Sequence, residues 1–189
     1  MFGAGGLVEG TQSDGSISSD AGLAPRAAAE LFRVLKEKEA QCNIKVTVTM
    51  FELYNDSLRD LLAKKSLTSE KLRIKLAQHS ESGMVEVDGA ISESANNLDD
   101  LLHLFQRGSE CRTTSSTNMN ADSSRSHLIT SIVTSTVNKR TGHTVRGKLT
   151  LVDLAGSERV GKRCVTYCSI HTICYVNENG TLILSYLSK

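Results

Sequence analysis

The run TNMNADSSRSH, residues 117–127, crowds hydroxyls, amides and an arginine ahead of an apolar stretch. A buried strand has no use for so many donors. A site for phosphate oxygens and a hydrated cation does, because hydroxyls and amides donate to phosphate and a serine oxygen can ligate Mg²⁺. Taken alone, such a run is more often a solvated loop. A second segment, KLTLVDLAGSE, residues 148–158, ends an apolar strand in Asp153 and places Gly156 three residues later. Phosphate-transfer enzymes use that arrangement to hold Mg²⁺ through a carboxylate and to bring a backbone amide to a γ-phosphate. An Asp-to-Gly turn after a strand is commonplace by itself, so the weight lies in the two segments together. A third cluster, Cys164, Cys168, His171 and Cys174, offers soft ligands. Its C-x₃-C-x₂-H-x₂-C spacing fits structural zinc poorly, since such sites usually pair C-x₂-C knuckles across a longer loop.

The elements that must position these groups follow from periodicity. Pro25 and the helical spacing of Leu31, Phe32 and Leu35 predict a helix over about 25–40. Ile44, Val46, Val48 and Met50 alternate with polar residues, predicting a strand to about Tyr54, and Asn55-Asp56-Ser57 then turns the chain into a short helical SLRDLL. Two short strands are expected at 72–76 and 84–87. An amphipathic helix is expected over 97–107, stopped by Gly108. Strands at about 127–137 and 145–152, joined by the polar NKRTGH, form the clearest hairpin. Residues 3–22, rich in Gly, Ser and Asp, read as a surface loop.

Composition sets outer bounds. With 189 residues, 39% of them hydrophobic, the chain can bury one core. A formal net charge of +1 supplies no global field toward nucleic acid or another acidic polymer, so such a partner must meet a local patch. No stretch approaches the ~18 apolar residues of a membrane span, and no basic start precedes an apolar run. Five cysteines at irregular spacing, without a secretory signal, suit reduced thiols in a cytoplasmic compartment.

SSRSH followed, after a hairpin, by DLAGSE closely resembles the paired switch signatures of kinesin motors, whose consensus forms are N-x-x-S-S-R-S-H and D-L-A-G-S-E. GLAPRAAAELFRVL, FELYNDSLRDLL and QRGSECRTTSSTNMN agree in the same order, and the first and third look most like the calmodulin-binding type with a C-terminal motor. The resemblance covers about residues 22–160. It implies an α/β fold, a partial P-loop NTPase motor core with a mixed central sheet flanked by helices, over residues 1–161. Residues 162–189 do not match the family and have the look of mistranslated sequence.

What the resemblance implies for the site is specific. Asn120, Ser123 and Ser124 would contact the γ-phosphate of ATP, Ser124 and Asp153 would hold Mg²⁺, and the Gly156 amide would sense the γ-phosphate. Arg125 and Glu158 would close the site as an ion pair, with Ser124, Arg125 and Glu158 as the catalytic set. The partner implied is the microtubule, with Lys71, Arg73 and Lys75 as basic contacts, and the setting is the cytoplasm and its cytoskeleton. No membrane or nucleic-acid partner is implied, and a dimeric parent protein is compatible with the reading. Two departures stand against it. The G-x-x-x-x-G-K-T phosphate loop of the family does not occur in the sequence. Charge-assisted contacts of the kind it makes contribute roughly 1.5–3 kcal/mol each, so losing three weakens ATP binding on the order of 10³-fold or more. After SERV the expected microtubule-contact helix gives way to GKRCVTYCSIHTICYVNENG. Three readings stay open: a fragment of an ATP-driven microtubule motor, a truncated non-hydrolysing relative acting as a binding module, and a metal-binding regulator resting on the tail.

Overall fold

The computed structural model describes residues 1–2, 17, 21–54, 56–63, 72–76, 85–116, 126–155, 170–177 and 180–187, with the side chains of 76, 85–86, 113–116, 170–177 and 180–187 excepted. Eleven elements follow one another: α1 (Leu23–Lys38), β1 (Cys42–Tyr54), β2 (Ser57–Asp60), β3 (Arg73–Leu76), β4 (Val85–Asp88), β5 (Glu93–Ser94), α2 (Leu98–Ser116), β6 (Ser126–Asn138), β7 (Thr144–Asp153), β8 (Ile170–Asn177) and β9 (Gly180–Leu187). The main sheet runs β2-β1-β6-β7-β8-β9, with β5 also on β1, while β3 and β4 form a separate ribbon. Every pairing among the described residues is antiparallel.

Alternation along β1 and β6 sends Val46, Val48, Met50, Leu128 and Ile132 to one face, where α1 and α2 cover them. Ala24, Ala28 and Leu35 of α1 and Leu101, Leu104 and Phe105 of α2 complete a single cluster. Each large side chain fully removed from water there contributes ~1.5–3 kcal/mol. The start of α2 is fixed by Asn97, whose Oδ1 accepts the Asp100 amide at 2.7 Å while Asp100 Oδ2 accepts the Asn96 amide at 2.9 Å. Asp99 and Asp100 also place negative charge in the first turn, where the helix dipole favours it.

Two expectations are corrected. SLRD is a strand, not a helix: Tyr54 pairs with Ser57 and Phe51 with Asp60, and Asp56 at φ 60° makes the tight reversal between β1 and β2. Asp accepts left-handed backbone readily, so Asp56 turns a hairpin rather than starting a helix. Asp60 then ends the strand by accepting the amides of Leu62, Ala63 and Ile91. The second correction concerns Gly108, which does not stop α2, since the helix runs on to Ser116. Its role is close approach: a Cβ there would lie 2.5 Å from Met50 Cε and 2.7 Å from its Sδ. The missing side chain lets the helix settle onto β1.

The remaining expectations for elements hold. The 25–40 helix, the β1 strand, the two short strands and the central hairpin all form within a few residues of where periodicity put them. The loop expected at 3–22 lies outside the described residues apart from Ile17 and the last two positions.

Candidate functional site

The antiparallel register of β6 and β7 decides where the chemistry converges. Leu128 faces Asp153 and Val137 faces Thr144, so the start of β6 and the end of β7 share one end of the sheet, away from the connecting turn. The residues just before β6 and just after β7 are the two motif segments.

Their anchors are tied together directly. His127 Nδ1 accepts the backbone amide of Ala155 at 2.9 Å, joining the SSRSH segment to the residue before Gly156. That geometry requires Nδ1 to be unprotonated, with any ring proton on Nε2. Asp153, the last residue of β7, lies 3.6 Å from Arg112 Nη1 through its Oδ2. The same guanidinium has its Nε 3.5 Å from Glu52 Oε1, and its Nη2 donates to the Ser126 carbonyl at 3.1 Å and to Ser126 Oγ at 3.0 Å. Arg59 Nη1 approaches the other Glu52 oxygen at 3.8 Å. Side-chain exposures of 19% for Arg112, 13% for Glu52 and 25% for Asp153 place the group in a partly water-excluded cleft. A planar guanidinium suits such a hub, because it donates in several directions at once.

Arg112, Glu52, Ser126 and His127 were not singled out from the sequence, yet two of them carry a signal. Leu101, Phe105, Gly108 and Arg112 recur at helical spacing along the buried stripe of α2. Glu52 continues the inward alternation of Val46, Val48 and Met50. An arginine and a glutamate at core-facing positions, on elements that pack together, are an ion-pair prediction.

Of the residues expected to act on nucleotide, Asp153 is described, as the last residue of β7 beside Arg112. Asn120, Ser123, Ser124, Arg125, Gly156 and Glu158 lie outside the described residues, as does Lys71. Arg73 and Lys75 are exposed on β3, flanking Ile74, which is 67% exposed. Lys75 Nζ donates to Asp88 Oδ2 at 2.6 Å, and that contact holds the Asp88 carboxyl below its ordinary value of 3.8. Cys164 and Cys168 are likewise outside the described residues, and the side chains of His171 and Cys174 on β8 are not described. No group of three or more metal-ligating side chains occurs among the described residues.

The donor set of the described part fits Mg²⁺ and ATP only in part. It supplies one carboxylate, Asp153, already facing a guanidinium. For the phosphates, the nearest spacing to a glycine-lysine loop is Gly156 to Arg163, which ends in arginine where a cation-ligating hydroxyl would be needed. No helix of the described residues is long and apolar enough to cross a membrane.

Comparison with known proteins places this arrangement. The kinesin motor domain family matches residues 9–179, a span that runs past Gly161 into the segment expected not to match. Kinesin-like protein KIN-14E of Arabidopsis thaliana is 42% identical over 161 residues, which is 85% of this chain and 12% of that protein. Kinesin-like protein KIN-14I of Oryza sativa subsp. japonica is 46% identical over 141 residues, 75% of this chain and 11% of that protein. The chain therefore spans roughly an eighth or less of these two curated relatives. A solved fast kinesin, studied for its ATPase mechanism and interactions with microtubules, superposes with a TM-score of 0.67 at 32% identity, covering 78% of this chain and 40% of that one. Its fold agrees with the sheet and helices described above, and the relatives bear out the resemblance to motors of the C-terminal type. With the family matched over most of its length and a kinesin relative 42% identical over 85% of it, the chain belongs to the kinesin motor domain family.

Proposed function

We propose that this chain is the switch-bearing central part of an ATP-driven microtubule motor domain, working within a longer protein. The observation that carries the proposal is the hydrogen bond from the Ala155 amide to His127 Nδ1, with Asp153 one strand away from Leu128. It couples the two motif segments mechanically, so a shift in one is felt by the other.

In this reading Asn120, Ser123 and Ser124 contact the γ-phosphate, Ser124 and Asp153 hold Mg²⁺, and the amide of Gly156 follows the γ-phosphate. Arg125 and Glu158 pair as the site closes, and Glu158 helps take a proton from the attacking water. Bound ATP with its Mg²⁺ would supply the transferable phosphoryl group. The cradle for the remaining phosphates is not encoded in these 189 residues, so it would come from elsewhere in the intact protein. Arg73 and Lys75, with Lys71, supply a small basic contact to the acidic microtubule surface, screened by salt. The Lys75 to Asp88 pair reduces its net charge.

The test uses the intact protein carrying Glu158→Ala. A residue that acts once the switches close contributes to the transition state more than to ground-state affinity. The expected outcome is ATP binding near the wild-type level with single-turnover hydrolysis reduced by at least ~10²-fold. Hydrolysis at a wild-type rate would remove Glu158 from the mechanism. The reading of the chain as a non-hydrolysing binding module is favoured by the missing phosphate loop alone, and hydrolysis by the intact wild-type protein would exclude it.

A further inference from the structure

β6 extends further than its pairing with β7. Ser126 and His127 pair with Tyr54 and Leu53 of β1, but the register with β7 stops at Leu128 and Asp153. In that overhang, side chains take over from the backbone ladder. Arg112 Nη2 donates to the Ser126 carbonyl at 3.1 Å, and the Ala155 amide donates to His127 Nδ1 at 2.9 Å. His127 sits on a strand paired along its whole length with β1, whereas Ala155 lies beyond the end of β7. The rigid partner therefore holds the departing one.

Little else guides the chain as it leaves the sheet. Leu154 is 39% exposed, so burial does not fasten the backbone there. Asp153 is approached separately, by the Arg112 guanidinium of α2. The end of β7 thus has anchors from different elements, α2 for the Asp153 carboxylate and β6 for the Ala155 amide.

A strand end often finishes on a side-chain acceptor, and water satisfies a half-buried amide nearly as well. Neither purpose calls for an acceptor drawn from the SSRSH segment and aimed at the residue just before Gly156. An imidazole also has a fixed direction: its ring rotates only about two side-chain bonds, so the amide it accepts is oriented as well as satisfied.

We propose that His127 is a positioning residue for hydrolysis: through Nδ1 it fixes the Ala155 amide, and with it the start of the segment that carries Gly156. This role rests on the motor reading, in which the Gly156 amide follows the γ-phosphate. Its chemical requirement is an acceptor at the Nδ1 position, not a ring.

Two variants divide the hydrogen bond from packing. His127→Phe keeps the ring and removes the acceptor, while His127→Asn places an acceptor oxygen at the same bond separation from the backbone. Amide exchange at Ala155, followed in the full chain without nucleotide, should quicken at least ~5-fold in His127→Phe and stay within ~2-fold of wild type in His127→Asn. In the intact protein, ATP affinity should stay within ~3-fold of wild type for both variants. Single-turnover hydrolysis should fall at least ~10-fold in His127→Phe and recover to within ~3-fold in His127→Asn. A histidine that served packing alone would be better replaced by Phe than by Asn. Wild-type hydrolysis by His127→Phe despite quickened exchange overturns the proposal, as does slow hydrolysis by His127→Asn with Ala155 protected. Equal exchange at Ala155 in wild type and His127→Phe overturns it as well. An intact wild-type protein that does not hydrolyse ATP removes the motor reading and this role with it, whereas failure confined to the variants removes the role alone.

Discussion

At the open end of the β6–β7 hairpin, Arg112 is shared by Glu52, Asp153 and Ser126 in a cleft half-closed to water. At the turn end of the same two strands, Lys139 and Arg140 are exposed with no carboxylate partner among the described residues, Lys139 Nζ donating instead to the Glu39 carbonyl. The strands are continuous between the two, so backbone pairing alone does not make the difference. What differs is desolvation. A charge held in a partly buried cleft has lost much of its hydration and must be compensated within the fold, whereas an exposed cation keeps its water and remains available to a partner. The first end thus holds its charged groups in fixed positions, while the second leaves its cations hydrated.

The largest expected effect follows from removing the shared cation. Arg112→Ala removes the guanidinium shared by Glu52 and Asp153, leaving Glu52 its longer contact to Arg59, and should destabilise the chain by about 2–3 kcal/mol in urea unfolding. Adding Glu52→Gln to that variant should recover part of the loss. Arg140→Ala, at the other end, should change stability by less than ~0.5 kcal/mol. Equal losses from the two arginines would erase the distinction drawn between the ends.

A smaller effect is expected at His127. Its replacement by Ala removes the acceptor for the Ala155 amide, a loss of about 1 kcal/mol. Amide exchange at Ala155 should quicken while exchange at the turn end, around Gly142, stays as it was. Quickening at both would mean that the hairpin responds as one unit.

The smallest effect concerns the exposed Lys75 to Asp88 pair, which belongs to neither end. The Lys75 contact lowers the Asp88 carboxyl below its ordinary value of 3.8, so any stability it gives is present above that pH and is lost as pH falls through the depressed value. Lys75→Met should return the Asp88 titration, followed by NMR, toward 3.8. An unchanged titration would show that the ammonium does not set it.

Local pattern by itself determined much of this protein. The switch-like segments, the long hairpin, both helices and the ribbon of β3 and β4 are written in spacing over a few residues, and short-range rules of turn, cap and alternation read them. Even the errors were local: an Asp such as Asp56 turns a hairpin as readily as it starts a helix, and Gly108 as readily closes a helix as admits a neighbour. Only the tertiary structure chose between those meanings, because Met50 must lie beneath Gly108 for the glycine to be a contact. Likewise, only the folded chain brings residues 52, 112 and 153 onto one guanidinium, or residues 36, 45, 140 and 146 to one end of a sheet. Those arrangements join residues far apart along the chain, and their position and energy come from register and shared desolvation, which no local spacing encodes.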